Sequence, residues 1–396
     1  VTGVQTCALP IYNYNLNTMK KFNVFYLFAT VFVAFMLIMA SCTKEGPAGP
    51  AGADGKDGVD GTNGADGADG TASCIECHDG DASLSVPEFQ WKGSMHNAGT
   101  AIARSSNGSC SQCHSSQGFF LSNGNAIGEG VPVNDPTTIN CYICHNIHKD
   151  YAPSDLGFTY PDVPEWHVTY GKTVDFDLEA GNLCAHCHQS RERSPVVDMN
   201  DLTAMYTGIS SHYGPHYSPQ ANLSGGFGAY ELEGSVSYGS GMHAHSDIEN
   251  SCVKCHMGFS SAAGTGGHNM HVDASSDLEA SCMPCHSNGS GAENLYNNYY
   301  KANFETIDHS VEPPVLNTTS LYTQLGDLLV EKGVYTKVVD EEDGVPVDVH
   351  YNINSDLEIN GTLTAALFNH RYLYQDHSHG MHNPGYARAL LQNSLE

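Results

Sequence analysis

Residues 141–148 read CYICHNIH: two cysteines three apart, a histidine directly after the second, and another histidine three residues later. Cys141, Cys144 and His145 fit on a single turn of chain, so two thiols and one imidazole can face one point together. His148 lies beyond that turn, so it can serve a neighbouring centre but not the one His145 already faces. Eight residues therefore hold one complete unit and part of a second. How often the unit recurs decides how the chain folds.

The unit recurs six times. The cysteine pairs are Cys74 and Cys77, Cys110 and Cys113, Cys141 and Cys144, Cys184 and Cys187, Cys252 and Cys255, and Cys282 and Cys285. Each is followed at once by a histidine: His78, His114, His145, His188, His256 and His286. C-x-x-C-H is the attachment signal of c-type haem. Two thiols reach the two vinyl groups on one porphyrin edge, and the adjacent imidazole turns beneath the iron. Paired C-x-x-C also suits zinc, but zinc has no use for a histidine directly after every second cysteine. With 22 histidines in 396 residues, six such coincidences have odds of roughly one in tens of millions. The expected cofactors are six covalently attached haem c groups.

Fourteen cysteines are present, twelve of them in these motifs, which leaves none for disulfides. Cys7 falls in residues 1–18, which read as an artefactual extension ahead of Met19. Residues 19–41 form an export signal: Lys20 and Lys21, an apolar run from Phe22 to Ala40, then Ser41. Ala40-Ser41-Cys42 resembles a bacterial lipobox, which implies lipid attachment at Cys42. The alternative is an uncleaved transmembrane helix. Residues 42–72 then carry glycine at every third position from Gly46 to Gly70. The period is that of collagen, but proline is sparse and aspartate frequent. The segment reads either as a trimeric stalk, and so a route to homo-oligomers, or as a flexible acidic spacer. Extended, it spans roughly 80 Å.

A formal charge of −28 with only 16 Lys and Arg excludes the basic surface that nucleic acid or a polybasic membrane patch requires. Residues 73–290 hold all six motifs at irregular intervals, which argues against a solenoid. Residues 291–396 hold none. Leu321, Leu325, Leu328 and Leu329 predict a helix near 319–333, and two more are expected at 362–374 and 384–395, with Pro384 in the first turn of the last. Asp343-Gly344 marks a hairpin turn between them.

The chain from Cys42 onward resembles the multihaem c-type cytochromes, and its N-terminus resembles their lipid-anchored, cell-surface members. The resemblance implies a mainly α fold with extensive irregular loops and little β structure, built around packed haems that form much of the core. It implies outer-membrane localisation and electron exchange with redox-partner proteins or an extracellular acceptor. Trp91-x-x-Ser94-x-His96 and Gly380-Met381-His382-Asn383-Pro384 resemble segments that supply distal ligands, as does His268 after paired glycines. His243 sits in a third Met-His stretch like those of His96 and His382. His148 and His216 complete six candidates for six sixth positions, with His382 supplied by the C-terminal region. His167, His186, His245, His309, His350, His370, His377 and His379 are expected to be structural or exposed.

Three functions follow. Electron transfer with every iron saturated is the first. The second is a multihaem reductase acting on nitrite, hydroxylamine or a sulfur oxyanion through one open haem. That family often replaces a motif histidine by lysine, a change absent here. The third is a subunit of a conductive filament, from which the lipid anchor departs.

Overall fold

The apolar spacing of the last hundred residues translates directly into helices that bury one face. In the computed structural model of the chain, the described residues are 78, 82–99, 101–122, 130–159, 162–170, 172, 174–191, 193–239, 245, 248–258, 267–272, 281–282, 285–286 and 291–396. The signal segment, Cys42, the glycine-rich spacer, Cys74, Cys77 and His243 lie outside them. Residues 67–396 belong to one unit.

The motif-bearing part contains short helices: α1 (Ala82–Lys92), α2 (Met95–Ala98), α3 (Gly108–His114), α4 (Ser116–Leu121), α5 (Cys141–Cys144) and α6 (Asn182–Ala185). Strand β1 (Met205–Tyr206), α7 (Gln220–Gly225), α8 (Ser251–His256) and α9 (Gly291–Asn303) follow. Then come β2 (Ile307–Asp308), β3 (Val315–Leu316), α10 (Leu321–Glu331), β4 (Tyr335–Glu342), β5 (Val345–Ile353), β6 (Ile359–Asn360), α11 (Gly361–Asp376) and α12 (Pro384–Leu395). The strands pair as three separate antiparallel ribbons, β1 with β6, β2 with β3 and β4 with β5. The fold is mainly α with long irregular connections and little sheet. Among the described residues no helix is long and apolar enough to cross a membrane.

All four C-terminal elements form where the residue pattern places them. Ser320 caps α10 by accepting from the Thr323 amide, and Tyr322, Leu325 and Leu329 bury one stripe. Gly326 is required there because a Cβ would stand 2.4 Å from the Tyr351 ring. Asp343 and Gly344 both take positive φ (53° and 79°), the turn that matches the twist of a tight hairpin. Asn383 caps α12, and Pro384 occupies its first turn, where a missing amide proton costs nothing.

These elements build an ordinary side-chain core. Leu367, Phe368, Tyr372, Leu390 and Leu391 pack with Leu325, Leu329 and Tyr335, and with Tyr213, Leu223 and Tyr230 from the middle of the chain. Asn369 locks the two regions together: its side-chain oxygen accepts from the Tyr230 amide (2.9 Å) and its amide donates to the Tyr230 carbonyl (2.7 Å). Residues 197–232 and 304–391 thus share an apolar core of their own, and porphyrin is not needed to supply one there. Nearer the motifs the clusters are small: Phe119, Ile143 and Leu183 in one, Phe176, Leu178, Ala185, Ala221 and Phe227 in the other.

Inside the main core His370 stacks on Tyr322 (4.0 Å between ring centroids) and meets the Tyr335 hydroxyl through Nδ1 (3.1 Å). Burial, helped by the Arg371 charge, pulls its pKa down to about 3. An unfolded histidine titrates near 6.5, so stability is full above that pH and is lost as pH falls from about 6.5 toward 3. His370→Gln removes this linkage. Thermal unfolding followed between pH 7 and 4 is expected to show a shallower loss in the variant, by up to a few kcal/mol.

Candidate metal centres: paired histidines across a shared cavity

Each described motif closes one helical turn. The amides of His145, His188 and His286 donate to the carbonyls of Cys141, Cys184 and Cys282 at 2.9–3.0 Å. In the second and fifth motifs the same turn is part of a helix, α3 and α8. Asparagine caps prepare two of them: Asn107 accepts from the Ser109 amide and Asn140 from the Tyr142 amide. The ten described cysteines form no disulfide.

Opposite each of the six motif histidines stands a second imidazole. His78 faces His148 (6.1 Å between ring centroids), His188 faces His96 (6.1 Å) and His114 faces His216 (6.4 Å). His145 faces His268, His286 faces His245 and His256 faces His382, each at 6.2 Å. Two imidazoles joined by a hydrogen bond would have centroids about 5.2 Å apart, so these gaps are wider than that. Two imidazoles whose Nε2 atoms each stand at an ordinary metal–nitrogen length of ~2.0 Å from one ion have centroids about 6.3 Å apart. The residues therefore fit an iron bound by two histidines.

Five of the six expected distal residues, His96, His148, His216, His268 and His382, occupy these opposing positions. The sixth, His243, lies outside the described residues, and it is His245 that faces His286. His245 had been expected to be structural or exposed. The signal was present, since MHAH offers two histidines two residues apart, but the resemblance among the Met-His stretches favoured the first. Other histidines are used elsewhere: His350 lies between Asp340 and Asp348, His379 packs on Tyr300, and His377 closes α11 with positive φ.

Local sequence explains the placement. Trp91 donates its indole N–H to the Ile139 carbonyl (2.9 Å), fixing α1 beside the third motif. Ser94 accepts from the Asn97 amide (3.2 Å) and so starts the short helix that carries His96. Gln90, one residue before Trp91, accepts from the His268 amide (3.1 Å). Gly267, at φ 58°, lets that segment approach, as a Cβ would meet the Gln90 oxygen at 2.6 Å.

The far ring nitrogens are held as well. Nδ1 of His256 meets the Met270 carbonyl (3.0 Å), that of His245 the Met381 carbonyl (3.2 Å), and that of His188 the Gln220 side chain (3.3 Å). His382 Nδ1 donates to Asp376 (2.6 Å). Such partners fix the tautomer and leave Nε2 for a metal. Burial holds His96 near 4, with His188 adding to it, and takes His216 to about 4 together with the Arg191 and Arg193 charges. It likewise lowers His114, His188, His256 and His268, so these rings are neutral. His382 differs: burial alone would lower it, but the Asp376 carboxylate holds it above the ordinary value.

Two of the methionines that directly precede a histidine, Met270 and Met381, contribute carbonyls at these sites. Met381 braces the ring of His245 while His382, the next residue, serves another pair. Nine of the ten described cysteines and both members of four ring pairs open on one cavity of about 1920 Å³. That exceeds the roughly 300–1,000 Å³ of an ordinary small-molecule pocket. Thiols of different motifs meet within it, Cys113 with Cys187 and Cys184 with Cys252. Cys144 packs in one cluster with Cys187, and the Ser281 hydroxyl donates to the Cys255 carbonyl (2.8 Å). Among the described residues no three or more His, Cys, Asp or Glu gather as a self-sufficient metal site. The chain matches no protein-family model, no curated protein and no solved structure.

Helix α4 lies directly against the second motif, and a Cβ on Gly118 would stand 2.1 Å from the Ser111 carbonyl oxygen of α3. Gly118→Ala is expected to destabilise the protein by about 1–3 kcal/mol, as a lowered thermal midpoint, because neither backbone can yield without moving Cys110, Cys113 and His114.

Proposed function

We propose that the chain is a six-haem electron carrier anchored by lipid at Cys42 on the bacterial outer membrane, exchanging electrons with a redox-partner protein or an extracellular acceptor. The observation that carries this reading is the set of six ring pairs, each 6.1–6.4 Å apart and each containing one C-x-x-C-H histidine. These residues would hold haem c between two histidines, and the group would supply one-electron redox chemistry.

The chain's own groups set the conditions for that exchange. The twelve motif cysteines would attach the haems, and the motif and opposing histidines would bind their irons. Backbone carbonyls, Gln220 and Asp376 orient the rings. Contacts between Cys113 and Cys187, between Cys184 and Cys252, and around Cys144 bring the attachment points of neighbouring sites together. That arrangement supports electron movement between sites and gives the fourth motif three neighbours, the second, third and fifth. CYICHNIH joins two sites by itself, since His145 and His148 face different partners. A filled sixth position at every site favours the carrier over the multihaem reductase, which needs one open.

The mature protein is expected to carry six haems by intact mass. Its oxidised EPR spectrum should be low-spin throughout and indifferent to cyanide or nitrite. A high-spin component that binds either ion would sink the carrier in favour of the reductase.

Two substitutions separate the neighbouring histidines of the MHAH stretch at 242–245. His245→Ala is expected to turn one of the six EPR components high-spin and make it bind cyanide, while His243→Ala leaves all six low-spin.

A further inference from the structure

Two of the ring pairs lie in surroundings of opposite charge. Arg104, Arg191 and Arg193 open on the cavity beside His114 and His216. They are three of only five arginines in a chain of formal charge −28. Arg191 spans both halves of that site: its backbone N–H donates to the Pro215 carbonyl (3.0 Å), next to His216, and its guanidinium donates to the Ser109 carbonyl (2.6 Å), next to Cys110. Among the described residues none of the three arginines joins an ion pair. Arg191 and Arg193 are half-buried, whereas Arg104 is exposed and screened.

The His256–His382 pair stands beside a buried anion. The Asp376 side chain has no solvent exposure, and Oδ1 takes the His382 Nδ1 proton's hydrogen bond at 2.6 Å. Its other oxygen accepts from the Ser378 amide (3.1 Å) and hydroxyl. Three donors thus converge on its two oxygens. Lys254, the cation within that motif, is exposed and counts for less. Between the two sites lies the His96–His188 pair, because the fourth motif touches the second through Cys187 and Cys113 and the fifth through Cys184 and Cys252.

We infer that these fixed charges slope the chain energetically, so that electrons are held least firmly at His256–His382 and most firmly at His114–His216, with His96–His188 as the bridge. The inference rests on the electron-carrier reading. Reduction adds one negative charge at a site, which nearby guanidinium groups stabilise and a buried carboxylate opposes. Asp376 also makes the His382 ring a stronger donor, which favours the oxidised metal. One electron leaves the first site and arrives at the second; no bond breaks, and the Nδ1 protons stay where they are.

Potentiometric titration of the full mature protein, followed by EPR, tests this. Asp376→Asn is expected to shift one component to more positive potential, changing its reduced-to-oxidised ratio about tenfold at fixed potential, or ~59 mV for one electron. Arg191→Gln with Arg193→Gln should shift a different component negative, and the charge-keeping Asp376→Glu and Arg191→Lys with Arg193→Lys should leave both near the wild type. In the wild type the Asp376-sensitive component should titrate below the arginine-sensitive one. Should Asp376→Asn not fold, Ser378→Ala removes a competing donor and should move the same component negative. Opposite directions, one component answering to both charges, or the reverse order in the wild type would overturn the slope. Six bound haems with unmoved potentials would overturn the slope alone, whereas a wild type without haem would overturn the carrier reading itself.

Discussion

Everything around the motifs depends on one spatial constraint, that imidazole rings face each other in pairs across a gap wider than stacking and too wide for a hydrogen bond. A gap of 6.1–6.4 Å between ring centroids leaves room for one metal ion between the two ring nitrogens. The rest of the motif region is arranged to keep these gaps open. Short helices start at asparagine and serine caps, Gln90 and Trp91 tie α1 to both sides of the His145–His268 site, and carbonyls or a carboxylate hold the outer ring nitrogens.

The same constraint explains why the chain carries two kinds of interior. Residues 197–232 and 304–391 bury tyrosine, leucine and phenylalanine against one another, as any globular protein does. Around the motifs the apolar clusters are small, and the space between them is a cavity edged by cysteine and histidine. The two interiors are joined physically. Asn369 and Gln375 on α11 bind the Tyr230 and Tyr217 segments, and the end of α11 delivers Asp376 and His382 to the fifth motif. The C-terminal core therefore positions a histidine for the cavity and cannot be separated from it.

Sharing of residues between sites is the second consequence. His145 and His148 are three residues apart and serve different pairs, as do the carbonyl of Met381 and the ring of His382 next to it. A displacement at one pair is thus passed to the next through a few covalent bonds. Opposite charges at His114–His216 and His256–His382 give that linked set a direction, which uniform surroundings would not.

The local part of this was legible from residues alone. C-x-x-C-H specifies one helical turn, because thiols and imidazole must converge within five residues, and the structure forms that turn in every motif it describes. The leucine spacing of α10, Pro384 and Asp343-Gly344 worked for the same reason, since helix periodicity and turn conformation are properties of a few consecutive residues. Which histidine faces which was decided only by the tertiary structure. His78 and His148 are seventy residues apart and His256 and His382 more than a hundred, and no local pattern encodes a distance across that much chain. His243 and His245 show the limit most sharply. Two residues of the same type, two positions apart, carry nearly the same sequence signal, yet only the packing of the surrounding chain brings the ring of His245 opposite His286.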